Sequence, residues 1–421
     1  MISLKFIREN KELVQETLKS KKVSFDLDEL LDKDSEWRTL VKKCDDLKSI
    51  RNSTSKEIAK LKADKINCDD EISSMKEVSI QIKDIDSNIE SLIHDINNRL
   101  LFIPNIVNKN VPIGKTEEDN VVISENGQKP SFDFEIKDHF QIMKKLNMLD
   151  MKRGSKISGS GFPLFVGLGA KFERSIISFM IDNHVNNGYI ELFPPFLANE
   201  KTTLTTGQLP KFKDDMYYID KDKLYCISTA EVPITSFYRD EVLSEEDLPS
   251  KFVAYSACFR REAGSYGKDT KGLLRVHQFN KVELMKFVKP SNSYDELQLL
   301  LSDAEKILKL LGLHYRIVEL NSSDLSFSAS KCYDIEVWSP AEKKFLEVSS
   351  CSNFESFQAR RGNIRYRNNS TQNLEFVHTV NGSGLATPRL TVAILEHYQQ
   401  KDGSVKVPEV LQDYFGAEVI R

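Results

Sequence analysis

Apolar side chains recur along the first hundred residues at steps of three and four. Trp37, Leu40, Cys44, Leu47, Ile58 and Leu61 follow that spacing, with Arg51 and Thr54 on the same stripe. After a polar break around residues 67–70 the steps resume at Met75, Val78, Ile82, Ile85, Ile89, Leu92 and Ile96. This spacing puts each stripe on one helix face, so the segment reads as two helices facing each other along heptad seams. A turn of only a few residues makes them antiparallel, each limb being about 30 residues and so about 45 Å long. The hairpin is expected to project as an arm, with a seam weakened midway by Arg51 and Thr54. Ahead of it, Leu4, Ile7, Leu13, Val14 and Leu18 predict a short amphipathic helix at the arm's base.

The texture changes at Pro104-Asn105-Ile106, which breaks the helix, and a loop through Asp119-Asn120 follows. Residues 1–105 are therefore expected to form a helical domain, with its arm over about 35–103, and residues 106–421 a mixed α/β body. Lys171 to Asn187 predicts an amphipathic helix, and Tyr189 to Leu192 a strand that Pro194 and Pro195 confine to an edge or a bend. Phe252 to Glu262 and Leu274 to Phe287 alternate with period two around a polar, glycine-containing loop, Ala263 to Gly272, which predicts a hairpin.

Composition sharpens this picture. None of the 18 Gly and 13 Pro precedes Pro104, where average usage would place about a dozen, so the first hundred residues must be helical. A length of 421 residues with 40% hydrophobic content fits two or three domains with a sizeable core. The net charge of −4 excludes a globally basic DNA coat. The first ten residues lack a signal pattern, and no run of about 18 apolar residues occurs, so neither export nor a membrane span is expected. The six cysteines, at 44, 68, 226, 258, 332 and 351, form no C-x-x-C pair. That argues against a disulfide framework or clustered zinc site and for a cytoplasmic location.

Charge divides the hairpin's limbs. The first carries Lys48, Lys56, Lys60 and Lys62 among its cations, whereas the second is rich in Asp and Glu. Taken alone, such a pattern reads first as a solvated coiled coil with inter-helix ion pairs; a basic limb also suits phosphates. In the 252–287 hairpin, period two places Arg260 and Glu262 on one face of the first strand, and Arg275, Phe279 and Glu283 on one face of the second. Cross-strand ion pairs are one reading. The other is a nucleotide site, with Arg on phosphate and a ring face for the base.

Arg260-x-Glu262, the loop Ala263-Gly-Ser-Tyr-Gly and Leu274-Arg-Val-His-Gln-Phe279 resemble motif 2 of class II aminoacyl-tRNA synthetases of the seryl type. Gly188-Tyr189 with Pro195 resembles motif 1. Thr206-Gly-Gln-Leu-Pro-Lys-Phe212 and Thr229-Ala230-Glu231 resemble the family's substrate loops. Glu347-Val-Ser-Ser-Cys-Ser-Asn353 and Phe357-Gln-Ala-Arg-Arg361 precede a motif 3 likeness at Asn381-Gly-Ser-Gly-Leu-Ala-Thr-Pro-Arg389. The likeness spans essentially the whole chain, with its motifs in order. Arg261 departs from it, standing where bacterial relatives often have a small polar residue, and alternation points it away from Arg260.

The resemblance implies an α+β fold: a class II antiparallel sheet flanked by helices, preceded by the two-helix coiled-coil arm. It implies a serine-tRNA ligase, with Arg260 and Arg389 catalytic. Serine would be bound by Thr229, Ala230, Glu231, Arg260, Glu283 and Ser383. ATP would be bound by Arg260, Arg261, Glu262, Arg275, Val276, Phe279, Glu347, Val348, Ser349, Ser350 and Arg389, and Mg²⁺ by Glu347 and Ser350. Strict alternation would pair Glu347 with Ser349 instead, so a bulge or strand end is needed near Ser349. Pro388 suits the first position of a helix capped by Thr387, which would favour anions near Arg389. The implied partners are ATP, L-serine, tRNA(Ser) on an arm presenting Lys48, Lys56, Lys60 and Lys62, and a second copy of the chain in a homodimer; tRNA(Sec) is a further potential substrate. Neither membrane, DNA nor zinc is expected. Two other classes share parts of the pattern: a ligase loading a carrier protein would lack the arm, and a non-catalytic tRNA-binding scaffold would lose the site's arginines and glutamates.

Overall fold

The computed structural model describes residues 1–262 and 272–421; the predicted polar loop therefore lies almost wholly outside the described residues. Contacts divide the chain into two compact units. One holds Ile2–Lys19 and Val23–Pro104; the other holds Met1, Ser20–Lys22 and Asn105–Arg421.

The first unit is helical. Its predicted short helix is in fact two, Leu4–Glu9 and Lys11–Ser20, broken at Asn10, whose backbone N–H and side-chain amide both return to the carbonyl of Phe6. Leu13 consequently points outward, while Ile7 and Val14 are fully buried. The first limb, Leu27–Ala63, starts ten residues before Trp37 because Asp26 caps it, accepting from the N–H of Glu29 at 2.9 Å. Lys65 turns the chain with φ +57°, and the second limb runs Asp69–Leu100. Cys44, Ile82 and Ile85 are buried in the seam, flanked by Leu40, Leu47, Val78 and Ile89.

The second unit is built on an eight-stranded sheet. Its strands are β1 (Val121–Asn126), β2 (Ile190–Leu192), β3 (Ser250–Phe259), β4 (Gln278–Val288), β5 (Tyr315–Glu319), β6 (Lys331–Ser339), β7 (Lys344–Asn353) and β8 (His378–Ala386). They lie in the order β1-β5-β6-β7-β8-β4-β3-β2, and every neighbouring pair is antiparallel except β2 with β3. The proline-flanked β2 sits at the edge.

Period two sorts the sheet's side chains. Val282, Leu284, Ile335, Val337 and Val380 enter the apolar core, packed with Leu168–Asn186, Ser293–Leu310 and Thr387–His397. Their neighbours Lys281, Glu283, Asp334, Glu336 and Asn381 line a cavity on the other face. The motif 3 glycines belong to the core side. A Cβ at Gly382 would lie 2.6 Å from Leu300 and 2.7 Å from Cys351, and one at Gly384 would lie 2.7 Å from His184. These glycines let the helices approach the sheet, and Asn381 and Ser383, alternating with them, face the cavity. Full burial of a leucine such as Leu300 contributes about 1.5–3 kcal/mol.

The long hairpin is shorter than its alternation suggests. β3 ends at Phe259 and β4 begins at Gln278, so Arg260, Glu262 and Arg275 lie outside the ladder. The N–H of Arg261 bonds the carbonyl of Asp215 at 3.0 Å instead, and Glu262 has φ +51°. The bulge required near Ser349 is present: Ile335 pairs with Ser349 but Glu336 with Glu347, leaving Val348 as the extra residue.

Candidate active site

One cavity of about 1280 Å³ crosses the polar face of the sheet from Arg260, beyond the end of β3, to Val122 on β1. It is larger than the usual small-molecule pocket of about 300–1000 Å³, large enough for more than one substrate.

β4 presents Phe279, Lys281 and Glu283 as a period-two stripe, and Lys281 and Glu283 form one end of the site. Glu283 is 1% exposed, and Lys281 Nζ lies 2.5 Å from its Oε2. Thr229 donates to the same oxygen at 2.9 Å, and Asn381 donates to Oε1 at 2.9 Å. A carboxylate has about four acceptor positions, so this one is nearly saturated and firmly oriented. Ser383 lies opposite Glu283 in the β4–β8 pairing and lines the same wall.

Glu231 begins a short helix, Glu231–Thr235, beside this cluster. Its N–H bonds the Thr229 hydroxyl at 3.2 Å, and its Oε1 accepts from Gln358 at 2.7 Å. Gln358 is oriented in turn by the Thr379 hydroxyl, which donates to its Oε1 at 2.7 Å. Burial, then the nearby Glu283 charge, push the Glu231 carboxyl up to about 7. Two carboxyl groups around a small space suit an ammonium group, and the hydroxyls and amide suit a small polar side chain.

At the other end are Arg260, Glu262, Arg275, Val276 and Phe279. The Arg260 guanidinium lies 5.1 Å from the Phe279 ring centroid, and Arg275 donates to Glu262 at 2.8 Å. Arg389, in the first turn of Thr387–His397, reaches the carbonyl of Glu347 at 2.9 Å and its carboxylate at 3.7 Å. Thr387 does not cap this helix. Its hydroxyl donates to Glu173 and, at 3.1 Å, to the carbonyl of Asn280, and Ala386 occupies the cap position. Three guanidiniums thus bracket a space suited to phosphates.

The bulge at Val348 brings Glu347 and Ser350 to one face, and the Ser350 hydroxyl donates to Glu347 at 3.2 Å. Val348 also lines the cavity. The Asp334 carboxyl opposite Ser350 is held well above its ordinary range by burial and by the Glu347 charge. Oxygen donors of this kind suit a hard divalent cation.

Three candidates lie off the cavity wall. Ala230 is fully buried in an apolar cluster with Ile234 and Phe252. Arg261 turns to Tyr217, 5.9 Å from its ring centroid. Ser349 stands behind the wall, donating to the Ser383 carbonyl at 2.7 Å. In the helical unit Lys48 is paired with Asp86 at 2.9 Å, whereas Lys56, Lys60 and Lys62 are exposed. Sequence reasoning overlooked Lys281, Asn381 and Gln358. The period-two stripe through Phe279 and Glu283 could have flagged Lys281, and the stripe through Ser383 could have flagged Asn381; Gln358 lies in the run Phe357-Gln-Ala-Arg-Arg361, which gives it no role by itself.

The family model of the class II core domain of tRNA synthetases (G, H, P, S and T) matches residues 211–398. That of the seryl-tRNA synthetase N-terminal domain matches residues 1–107. The serine–tRNA ligase of Chloroherpeton thalassium is 53% identical over 426 residues, covering 100% of both chains. A crystal structure of seryl-tRNA synthetase from Pyrococcus horikoshii complexed with ATP superposes with a TM-score of 0.95 at 35% identity, covering 100% of this chain and 99% of that one. The cytoplasmic serine–tRNA ligase of Naegleria fowleri, in complex with AMP, gives 0.87 at 29% identity over 98% and 96% of the two chains. The three-arginine end and the carboxylate-lined polar end thus lie in a fold shared with serine ligases along its whole length, and the chain belongs to the seryl-tRNA synthetases of class II.

Proposed function

We propose that this cavity activates L-serine with ATP to seryl-adenylate and pyrophosphate, and then passes the seryl group to the terminal ribose of tRNA(Ser). The observation that carries this reading is the continuity of one cavity from the Thr229–Glu231–Glu283–Ser383 cluster to Arg260, Arg275 and Arg389. A serine carboxylate is already a nucleophile, so the site's task is alignment and neutralisation of developing charge on the α-phosphate.

Arg260 takes the α-phosphate together with the serine carboxylate. Glu262 and Phe279 take the adenine, with Val276 lending its backbone, and Arg275 and Arg389 take the outer phosphates. Glu231 and Thr229 hold the ammonium, and Glu283 with Ser383 reads the hydroxyl. Ala230 and Arg261 contribute through backbone alone, and Ser349 by supporting Ser383. Glu347 and Ser350 fit Mg²⁺ by their exposed oxygens, and the ion would offset charge on the polyphosphate. Residues 1–105 serve as the tRNA-binding domain, with Lys56, Lys60 and Lys62 on its accessible phosphate-binding side. Ile190 and Phe193, 60% and 75% exposed beside the motif 1 likeness, suit the surface of a homodimer in the cytoplasm.

Pyrophosphate exchange into ATP across a panel of amino acids tests the reading. Serine- and Mg²⁺-dependent exchange without tRNA is expected; equal exchange with alanine, glycine or threonine would overturn the serine assignment.

A further inference from the structure

Arg275 and Val276 line the cavity, yet the segment that carries them belongs to no strand. Other contacts hold it. The His277 N–H bonds the Gly161 carbonyl, and the His277 carbonyl accepts from the Arg260 N–H, both at 2.9 Å. Arg389 Nε lies 3.4 Å from the Leu274 carbonyl. The Leu273 N–H donates to Nε2 of His139 at 3.2 Å, although 134 residues separate them.

His139 and Glu396 are both fully buried. Because His139 Nε2 accepts from an amide, the ring proton sits on Nδ1, which donates to Glu396 Oε1 at 3.2 Å. The backbone N–H of His139 bonds the same oxygen at 3.1 Å. The Ser339 hydroxyl at 2.5 Å and the Ala341 N–H at 3.2 Å occupy Oε2. The carboxylate is thereby saturated and the imidazole fixed in one tautomer. Glu396 follows Arg389 by seven residues on Thr387–His397, which is two turns and so nearly the same helix face. One helix face therefore grips two consecutive residues, Leu273 through His139 and Leu274 through Arg389. Gly272 is fitted to this contact: its φ is +59°, and a Cβ there would stand 2.4 Å from His139 Nε2.

We propose that His139, oriented by Glu396, is a positioning residue for the nucleotide: by fixing the Leu273 N–H it sets where Arg275 and Val276 enter the cavity. The proposal rests on the assignment of Arg275 to the phosphates of ATP. The test compares His139→Leu, which removes the acceptor, with His139→Gln, whose amide oxygen reaches the Nε2 position, and includes Arg275→Ala. Pyrophosphate exchange is measured with each substrate varied, alongside the melting temperature. Loss of one oriented hydrogen bond is expected to raise the ATP KM of His139→Leu about tenfold with the serine KM unchanged, and His139→Gln should restore most of it. An ATP KM unchanged in His139→Leu while Arg275→Ala raises it would overturn the positioning role alone. Equal impairment of Leu and Gln variants, in step with lost melting temperature, would overturn it too. An unchanged ATP KM in Arg275→Ala would overturn the phosphate assignment and the proposal with it.

Discussion

Lys281 and Glu283 form a buried ion pair, Nζ to Oε2 2.5 Å, two residues apart on one face of a single strand. With Thr229 and Asn381 also bonded to it, the Glu283 carboxyl is held by three partners in a site that water barely reaches. Removing one partner of such a pair leaves an uncompensated buried charge, a far larger penalty than loss of an exposed pair.

Glu283→Gln should therefore raise the serine KM markedly and shrink serine-over-alanine discrimination, with a much smaller change in the ATP KM. A site built to bond a substrate hydroxyl rejects the analogue lacking it, because its buried acceptor is left unpaired. Exchange kinetics with each substrate varied check this. Intact discrimination with a raised ATP KM would move Glu283 to the nucleotide end.

The Glu231 carboxyl, pushed up to about 7, makes serine binding pH-dependent. Below that pH it is neutral and cannot pair with an ammonium group, so the serine KM should fall as pH rises from about 6 to about 8. Glu231→Gln should flatten that part of the profile. Between the ordinary value of 4.5 and about 7, the folded chain binds this proton more tightly than the unfolded chain does. Its contribution to stability is thus lost as pH rises through about 7, and melting curves of Glu231→Gln against the parent should show that slope disappear.

Arg260→Ala removes a charged donor from the reacting phosphate, with a loss in kcat of about 100- to 1000-fold. Single-turnover exchange distinguishes this from weakened ATP binding. A loss of only a few-fold would assign the α-phosphate to another ligand.

Deleting residues 37–98 and closing the gap with a short linker should spare serine-dependent exchange and abolish tRNA charging, because the residues assigned to adenylate formation lie after Pro104. Neutralising Lys56, Lys60 and Lys62 together should flatten the salt dependence of tRNA binding by roughly one unit of slope per lost phosphate contact. Lys48→Ala should change that slope less, since Asp86 already occupies its ammonium. Filter binding across a salt series measures both.

The helical arm was legible in the sequence because its determinants are local. Period and the absence of Gly and Pro choose a helix, and a polar break chooses the turn, whatever the rest of the chain does. The sheet's two faces were legible for the same reason: alternation sent Phe279 and Glu283 to the side opposite Val282 and Leu284. The bulge followed only from the family resemblance, which assigns Glu347 and Ser350 to one site although they cannot share a face of a regular strand. The strand ends were less legible, because Arg260 and Glu262 continue the alternating pattern while the backbone at Arg261 bonds Asp215 instead.

What tertiary structure decided is which distant segments meet. Glu283 draws its partners from residues 229, 281 and 381, and Leu273 draws its anchor from residue 139. Ala230 and Arg261 sit within motif-like runs, yet one enters an apolar cluster and the other turns to Tyr217. Period fixes the face a side chain takes within its own element. Only strand order and the packing of helices on the sheet fix what that face meets, and burial of those contacts sets the charge state of Glu231 and the tautomer of His139.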